Sequence, residues 1–175
     1  PLPTQSNGQM VVTIPNVRKP IPLFIVMRAL GVLSDKSIIE TCLLDMEKHG
    51  SYVDLFIPSI HDASVVFTQE TALKYIATFT KGKTIPHVLE ILSDFFLPHV
   101  GEMNFSDKAY YLGNMAFTLL RTSLKEQSPT DRDNFKYKRV EVVGSLMYDL
   151  FKEYFTILQH KVYQKIDKEY YYHEG

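Results

Sequence analysis

The sequence predicts a predominantly α-helical α+β fold with a small strand element near the N-terminus, and three observations carry that reading. Apolar residues recur at three- and four-residue spacing over most of the chain from Leu23 onward. Several of these runs are preceded by Ser, Thr or Pro, residues that satisfy or dispense with the free N–H groups of a first helical turn. The β-like segment Gln9-Met10-Val11-Val12-Thr13-Ile14 is fenced by Pro1, Pro3, Pro15 and Pro20, so it reads as one short strand at an edge.

Six or seven helices are expected after Pro22. Leu23–Leu30 is a compact apolar segment stopped by Gly31, read as a short buried helix, although periodicity alone also allows a buried strand. Ser34 or Asp35 caps a helix whose Ile38, Ile39, Cys42, Leu43 and Met46 share one face, ending at His49-Gly50. Tyr52–Ile60 reads as helical but interrupted by Pro58. Thr68 caps a helix carrying Ala72, Leu73, Ile76 and Phe79, with Gly82 as its C-terminal stop. Pro86 opens a helix with Val88, Leu89, Leu92, Phe95 and Phe96, and Pro98 ends it.

Ser106–Leu124 is the strongest pattern, with Ser106 as cap, Asp107 in the positive first turn and Phe105 placed to staple onto Tyr110. Its apolar residues surround it on most sides, which predicts a central, buried helix. A polar stretch follows, and then Val143, Leu146, Met147, Leu150, Tyr154, Ile157 and Leu158 mark a last helix that extends towards Lys161–Tyr172. The final third is too polar to be buried by its own domain. No internal repeat is present.

The composition excludes more than it selects. The 175 residues carry 19 Lys plus Arg against 20 Asp plus Glu, a formal net charge of -1. A free-standing nucleic-acid binder owes its affinity to a basic excess that displaces counterions, so nucleic-acid contact here must be local. With 45% hydrophobic and 13% aromatic residues the chain can enclose one core. The single cysteine, Cys42, excludes an internal disulfide and a zinc site of paired cysteines, and a reducing compartment follows as the simpler expectation. The apolar run Leu23–Met27 is far short of the roughly 20 residues that span a bilayer, the opening residues lack a secretory pattern, and the missing initiator Met is read as a fragment or a processed chain.

Catalytic arrangements find little support. None of His49, His61, His87, His99, His160 and His173 pairs with another His at one-turn spacing, and His61-Asp62 are sequence neighbours whose side chains diverge. Cys42 on an apolar helix face is an inert packing thiol rather than a nucleophile. Thr80-Lys81-Gly82-Lys83-Thr84 lacks the leading glycine of a phosphate loop and follows a helix where such a loop follows a strand. The richest stretch is Thr130–Arg139, where Arg132, Lys136, Lys138 and Arg139 stand with Asp131 and Asp133 around two aromatic rings. Either its charges pair with one another in a solvated loop, or the acids orient the bases through charge-assisted hydrogen bonds towards phosphates or a partner.

At this stretch the sequence resembles a known family. Thr130-Asp131-Arg132-Asp133-Asn134-Phe135, Lys138-Arg139 and Gly144 resemble the Asp-Arg-Asp-His-Phe-Gly-x-Lys-Arg segment of the second-largest subunit of eukaryotic-type multisubunit DNA-directed RNA polymerases. Upstream, Ile21-Pro22 with Arg28-Ala29-Leu30-Gly31 and Ser34-Asp35 resembles its Ile-Pro-Ile-x-x-x-x-Arg-Ala-Leu-Gly segment. Phe96-Leu97-Pro98-His99-Val100 and Lys108-Ala109-Tyr110-Tyr111-Leu112-Gly113-Asn114-Met115 are similar to Phe-Leu-Pro-His-Ile and Lys-Ala-Tyr-Phe-Leu-Gly-Tyr-Met in the same order. Asn134 replaces a His and Lys136-Tyr137 a Gly-x pair, departures that look more like polymerases of large cytoplasmic DNA viruses.

The resemblance implies the lobe domain over residues 1–129, and over 130–175 the end of the lobe and the start of the fork, packing on the lobe. It implies a non-catalytic module that lines the DNA cleft near downstream DNA, with the largest subunit, other polymerase subunits, the DNA template and initiation factors as partners and no membrane. Arg132, Lys136, Lys138 and Arg139 would face nucleic acid or a subunit, oriented by Asp131 and Asp133. No cofactor is expected in this segment, since the parent nucleotidyltransferase would hold its magnesium and a zinc site elsewhere. The location would be the nucleus for a cellular enzyme, and the virion or a cytoplasmic factory for a viral one. The competing readings are a small helical protein–protein interaction domain unrelated to transcription, and a hydrolase using His99 or His61.

Overall fold

The computed structural model describes residues 8–138 and 140–173. The chain divides into two compact units, Pro1–Ser128 and Pro129–Gly175. In the first, strands β1 (Val11–Val12) and β2 (Ile21–Pro22) form a two-stranded antiparallel sheet, with Val11 opposite Pro22 and Val12 opposite Ile21. The expected strand is thus two residues long, and its partner is the Ile-Pro pair that precedes the first helix. The fold is predominantly helical, as predicted.

Helix α1 (Leu23–Ala29) resolves the helix-or-strand ambiguity, and all seven of its residues are buried. Gly31 follows with φ of 105°, a left-handed turn that a side chain would strain. Helix α2 (Asp35–Leu43) starts at Ser34, whose Oγ accepts from the Ser37 N–H at 3.0 Å. It stops earlier than the apolar pattern predicts, because Leu44 adopts φ of 59°. Asp45 then caps a separate short helix, α3 (Met46–His49). A 3₁₀ segment, Gly50–Phe56, leads into α4 (Ile57–Asp62). Pro58 therefore stands in the first turn of a helix rather than interrupting one.

Helix α5 (Gln69–Ala77) carries a reciprocal cap between Thr68 and Thr71, as its sequence signals. Gly82 is not its C-terminal stop: the helix ends at Ala77, and Gly82 is needed because a Cβ there would lie 2.7 Å from the His87 ring. Helix α6 (Ile85–Glu90) passes into a π-helical turn, Ile91–Phe95, closed by a Phe96 N–H donating to the Ile91 carbonyl. Helix α7 (Phe105–Ser123) starts one residue before the expected cap. Asn104, not Ser106, accepts the Asp107 N–H, which removes the Phe105–Tyr110 staple register. Nor is α7 buried all round. Ala109, Leu112, Gly113, Ala116 and Leu120 face the core, while Tyr110 and Tyr111 are exposed.

Two buried cations and one glycine set the packing. Arg28 of α1 donates from Nε to the Leu33 carbonyl at 3.3 Å and from Nη1 to the Ala63 carbonyl at 2.9 Å and the Val66 carbonyl, and it pairs through Nη2 with Asp35. Lys108 of α7, fully buried, donates from Nζ to the carbonyls of Leu92 and Ser93, each at 2.7 Å. Its ammonium thereby satisfies oxygens of the π turn, where the i to i−4 ladder is broken. Gly113 lets α7 lie directly on α2, since a Cβ there would meet the Thr41 carbonyl oxygen at 2.8 Å.

In the second unit, a 3₁₀ turn, Phe135–Tyr137, precedes helix α8 (Val143–His173). The last helix therefore runs unbroken through the polar final third. Its large apolar side chains, among them Leu150, Phe151, Tyr154 and Leu158, are all exposed. Among the described residues no helix is long and apolar enough to cross a membrane.

Gly113→Ala is expected to destabilise the first unit by about 1–3 kcal/mol, because the obstruction is backbone that must shift. Thermal unfolding measures this, and an unchanged midpoint would mean that the α2–α7 contact is looser than described.

Candidate nucleic-acid interface

The stretch singled out by its charge forms an ordered turn. Asn134 caps it, its side-chain oxygen accepting from the Lys136 N–H at 3.0 Å. Asp131 makes an Asx-type turn, its Oδ1 accepting from the Asp133 N–H at 3.0 Å. Asp133 sits between two bases, with Oδ1 3.8 Å from Arg132 Nε and 3.9 Å from Lys138 Nζ.

Of the two acids, Asp133 is the one placed beside bases, while Asp131 shapes the backbone that carries it. Lys138 also lies over the Phe135 ring at 5.8 Å and Lys136 over Tyr137 at 5.6 Å, the usual distance for a cation on an aromatic face. Arg132, Lys136 and Lys138 are all exposed. Arg139 lies outside the described residues.

Such exposed pairs contribute little to stability, because solvent screens them and long side chains lose freedom to form them. What the turn offers is a set of solvated cations held near one another at the surface. Cations of this kind suit phosphate oxygens or carboxylates of a partner, and they read no base sequence.

The other candidates fall elsewhere. Cys42 is buried against the core and its thiol is pushed up to about 12 by burial, so it stays protonated at physiological pH. His49 packs edge-on against Tyr52 at 5.7 Å and on Phe117 at 4.7 Å, and His99 packs on Tyr111 at 5.0 Å. Among the described residues no group of three or more His, Cys, Asp or Glu side chains is placed to hold a metal ion.

The family described as RNA polymerase Rpb2, domain 2, matches residues 3–141. The chain is 33% identical over 174 residues to the DNA-directed RNA polymerase II subunit RPB2 of Schizosaccharomyces pombe, which covers 94% of this chain. It is 36% identical over 172 residues to DNA-directed RNA polymerase II subunit 2 of Arabidopsis thaliana, covering 93%. The archaeal subunit Rpo2N of Methanocaldococcus jannaschii is 30% identical over 170 residues, again covering 93%. The chain spans 14% of each of the two eukaryotic relatives and 34% of the archaeal one.

The Cys42 thiol sets an alkaline limit on stability. The unfolded chain releases this proton near pH 9 and the folded chain near 12, so between those values the folded state holds the extra proton and stability falls as pH rises. Denaturant unfolding at pH 8 and pH 11 is expected to show a loss that Cys42→Ala reduces by roughly 2–3 kcal/mol, and an equal pH dependence in both proteins would contradict this assignment.

Proposed function

The chain belongs to the second-largest-subunit family of DNA-directed RNA polymerases, as its second or lobe domain, and on that premise we propose that it is a non-catalytic wall of the nucleic-acid channel. Its work is positional. The lobe lines the DNA cleft near downstream DNA, and its outer surface docks other subunits and initiation factors. The observation that carries this reading is the ordered, exposed turn at 131–138, where Asp133 lies beside Arg132 and Lys138 and where Lys136 is exposed as well.

Arg132, Lys136 and Lys138 would touch phosphate oxygens or an acidic subunit surface, giving affinity that screens with salt. Arg139 belongs to the same proposal by its place in the sequence. Phosphodiester chemistry, with its magnesium, would belong to other parts of the parent nucleotidyltransferase. A eukaryotic cellular enzyme of this kind would work in the nucleus. The relatives reported above are cellular, and the viral likeness at Asn134 and Lys136-Tyr137 rests on the sequence alone.

The test is made in the assembled polymerase. Arg132→Ala with Lys136→Ala and Lys138→Ala is expected to shorten the lifetime of the enzyme on its DNA template most at low salt, and less as salt rises towards about 200 mM. The nucleotide-addition rate of engaged complexes and the melting of the subunit should be unchanged. Template retention identical to the unmodified enzyme at every salt concentration would refute the proposal. A fall in subunit melting would instead make these side chains structural ion-pair partners.

A further inference from the structure

The first unit carries its own, larger basic surface, distinct from the turn at 131–138. Between residues 8 and 128 there are eleven Lys and Arg side chains and twelve Asp and Glu. Arg28 and Lys108 are buried, which leaves nine. Five of those nine, Arg18, Lys19, Lys74, Lys81 and Lys83, are exposed around the end of α5 and the loop that follows it.

The fold brings them there from two distant stretches. The Arg18 N–H donates to the Phe79 carbonyl at 3.1 Å, which fastens the turn before β2 to the end of the α5 segment. Lys19 Nζ lies over the Phe79 ring at 5.6 Å, and Tyr75 meets Phe79 edge-on at 5.4 Å. Lys74 and Lys83 line one groove of about 400 Å³ with Ala77, Thr78 and Ile85.

The loop itself is fixed rather than slack. The Lys83 N–H donates to Thr80 Oγ1 at 3.2 Å, and the buried Thr80 hydroxyl donates to the Ala77 carbonyl at 2.9 Å. Two acids pair on the helices that carry this cluster, Glu70 with Lys74 at 2.7 Å and Glu90 with His87 at 3.3 Å. The other ten acids between residues 8 and 128 lie on other elements, with only Lys36, Lys48, Arg121 and Lys125 as exposed or half-exposed bases among them.

We propose that this surface, made by Arg18, Lys19, Lys74, Lys81 and Lys83, binds the phosphate backbone of nucleic acid. Its five bases outnumber the two acids named beside them, so this face is locally positive in a unit that carries more acids than bases. Lysines held on a helix end, a hydrogen-bonded loop and a neighbouring turn recognise phosphates as point charges without base preference. An acidic protein segment would meet the same charges, but the groove between Lys74 and Lys83, with Ala77, Thr78 and Ile85 between them, holds among the described residues no acceptor or donor set that would read a peptide backbone, and it suits a chain of repeating anions. The assignment stands on the charge distribution of the first unit and does not require the turn at 131–138 to touch DNA.

The experiment uses the 175-residue chain and a fluorescein-labelled 20-base-pair duplex, followed by anisotropy from 20 to 200 mM salt. Weak binding is expected at 20 mM salt, with a steep negative dependence on salt. Lys74→Ala with Lys81→Ala and Lys83→Ala is expected to weaken binding at least tenfold at the lowest salt and to make the salt slope shallower by about 2, with an unchanged melting temperature. Arg132→Ala with Lys136→Ala and Lys138→Ala should change the slope less, so failure of one surface is distinguishable from failure of the other. Absence of binding by the unmodified chain at 20 mM salt, an unchanged slope in the first triple variant, or equally tight binding of a 20-residue polyglutamate would each overturn the proposal.

Discussion

The buried guanidinium of Arg28 is the constraint on which the first unit depends. Helix α1 is only seven residues long and too short to be stable by itself, so it exists because its surroundings hold it. Arg28 supplies that hold in three directions at once. It binds the carbonyl of Leu33 and the carboxylate of Asp35 beyond the Gly31 turn, and the carbonyls of Ala63 and Val66 after α4. A planar group with fixed N–H directions is suited to several acceptors at one time, which a lysine would not reproduce. The charge tolerates burial because Asp35 neutralises it and the carbonyls satisfy its donors.

Lys108 solves a second problem with the same chemistry. The π turn after α6 leaves carbonyl oxygens that the regular helical ladder does not take up, and the ammonium accepts that duty from the neighbouring helix. Burial pushes the Lys108 pKa down, against the pull of Asp94 and Glu102. With Gly113 allowing α7 onto α2, these contacts make a scaffold from short helices that would not persist alone. The surface is then free to carry charge. The basic residues divide accordingly, two inside as structural donors and the others outside, unevenly spread.

Much of this scaffold is legible along the sequence wherever the cause is local. The caps at Ser34 and Thr68 and the apolar spacing of α2, α5 and α7 depend on residues three or four apart. The errors arise where a distant partner or a backbone angle that spacing does not encode decides. Ile21-Pro22 shows no strand pattern, and its pairing with Val11-Val12 is what makes it one. The early end of α2 comes from the left-handed Leu44, which hydrophobic spacing does not signal. Arg28, Lys108 and Gly113 stand inside recognisable motifs, yet their roles lie with residues 63 to 66, 92 to 93 and 41. The charged turn at 131–138 is legible as a place but not as an arrangement, since the dual role of Asp133 needs coordinates. The basic surface of the first unit is hidden altogether, because residues 18–19 and 74–83 meet only in the fold.

The contact at Gly113 has a mechanical side. Where two helices meet through side chains, a displacement can be taken up by rotamer changes, as in a cushioned joint. Where the α carbon of one helix rests on a carbonyl of the other, there are no rotamers to spend, and the pair behaves as a stiff beam. A shift of α7 at Gly113 would meet the Thr41 backbone of α2 directly, with no side chain between them to absorb it. For a domain built from short helices, stiffness of this kind is worth more than depth of core.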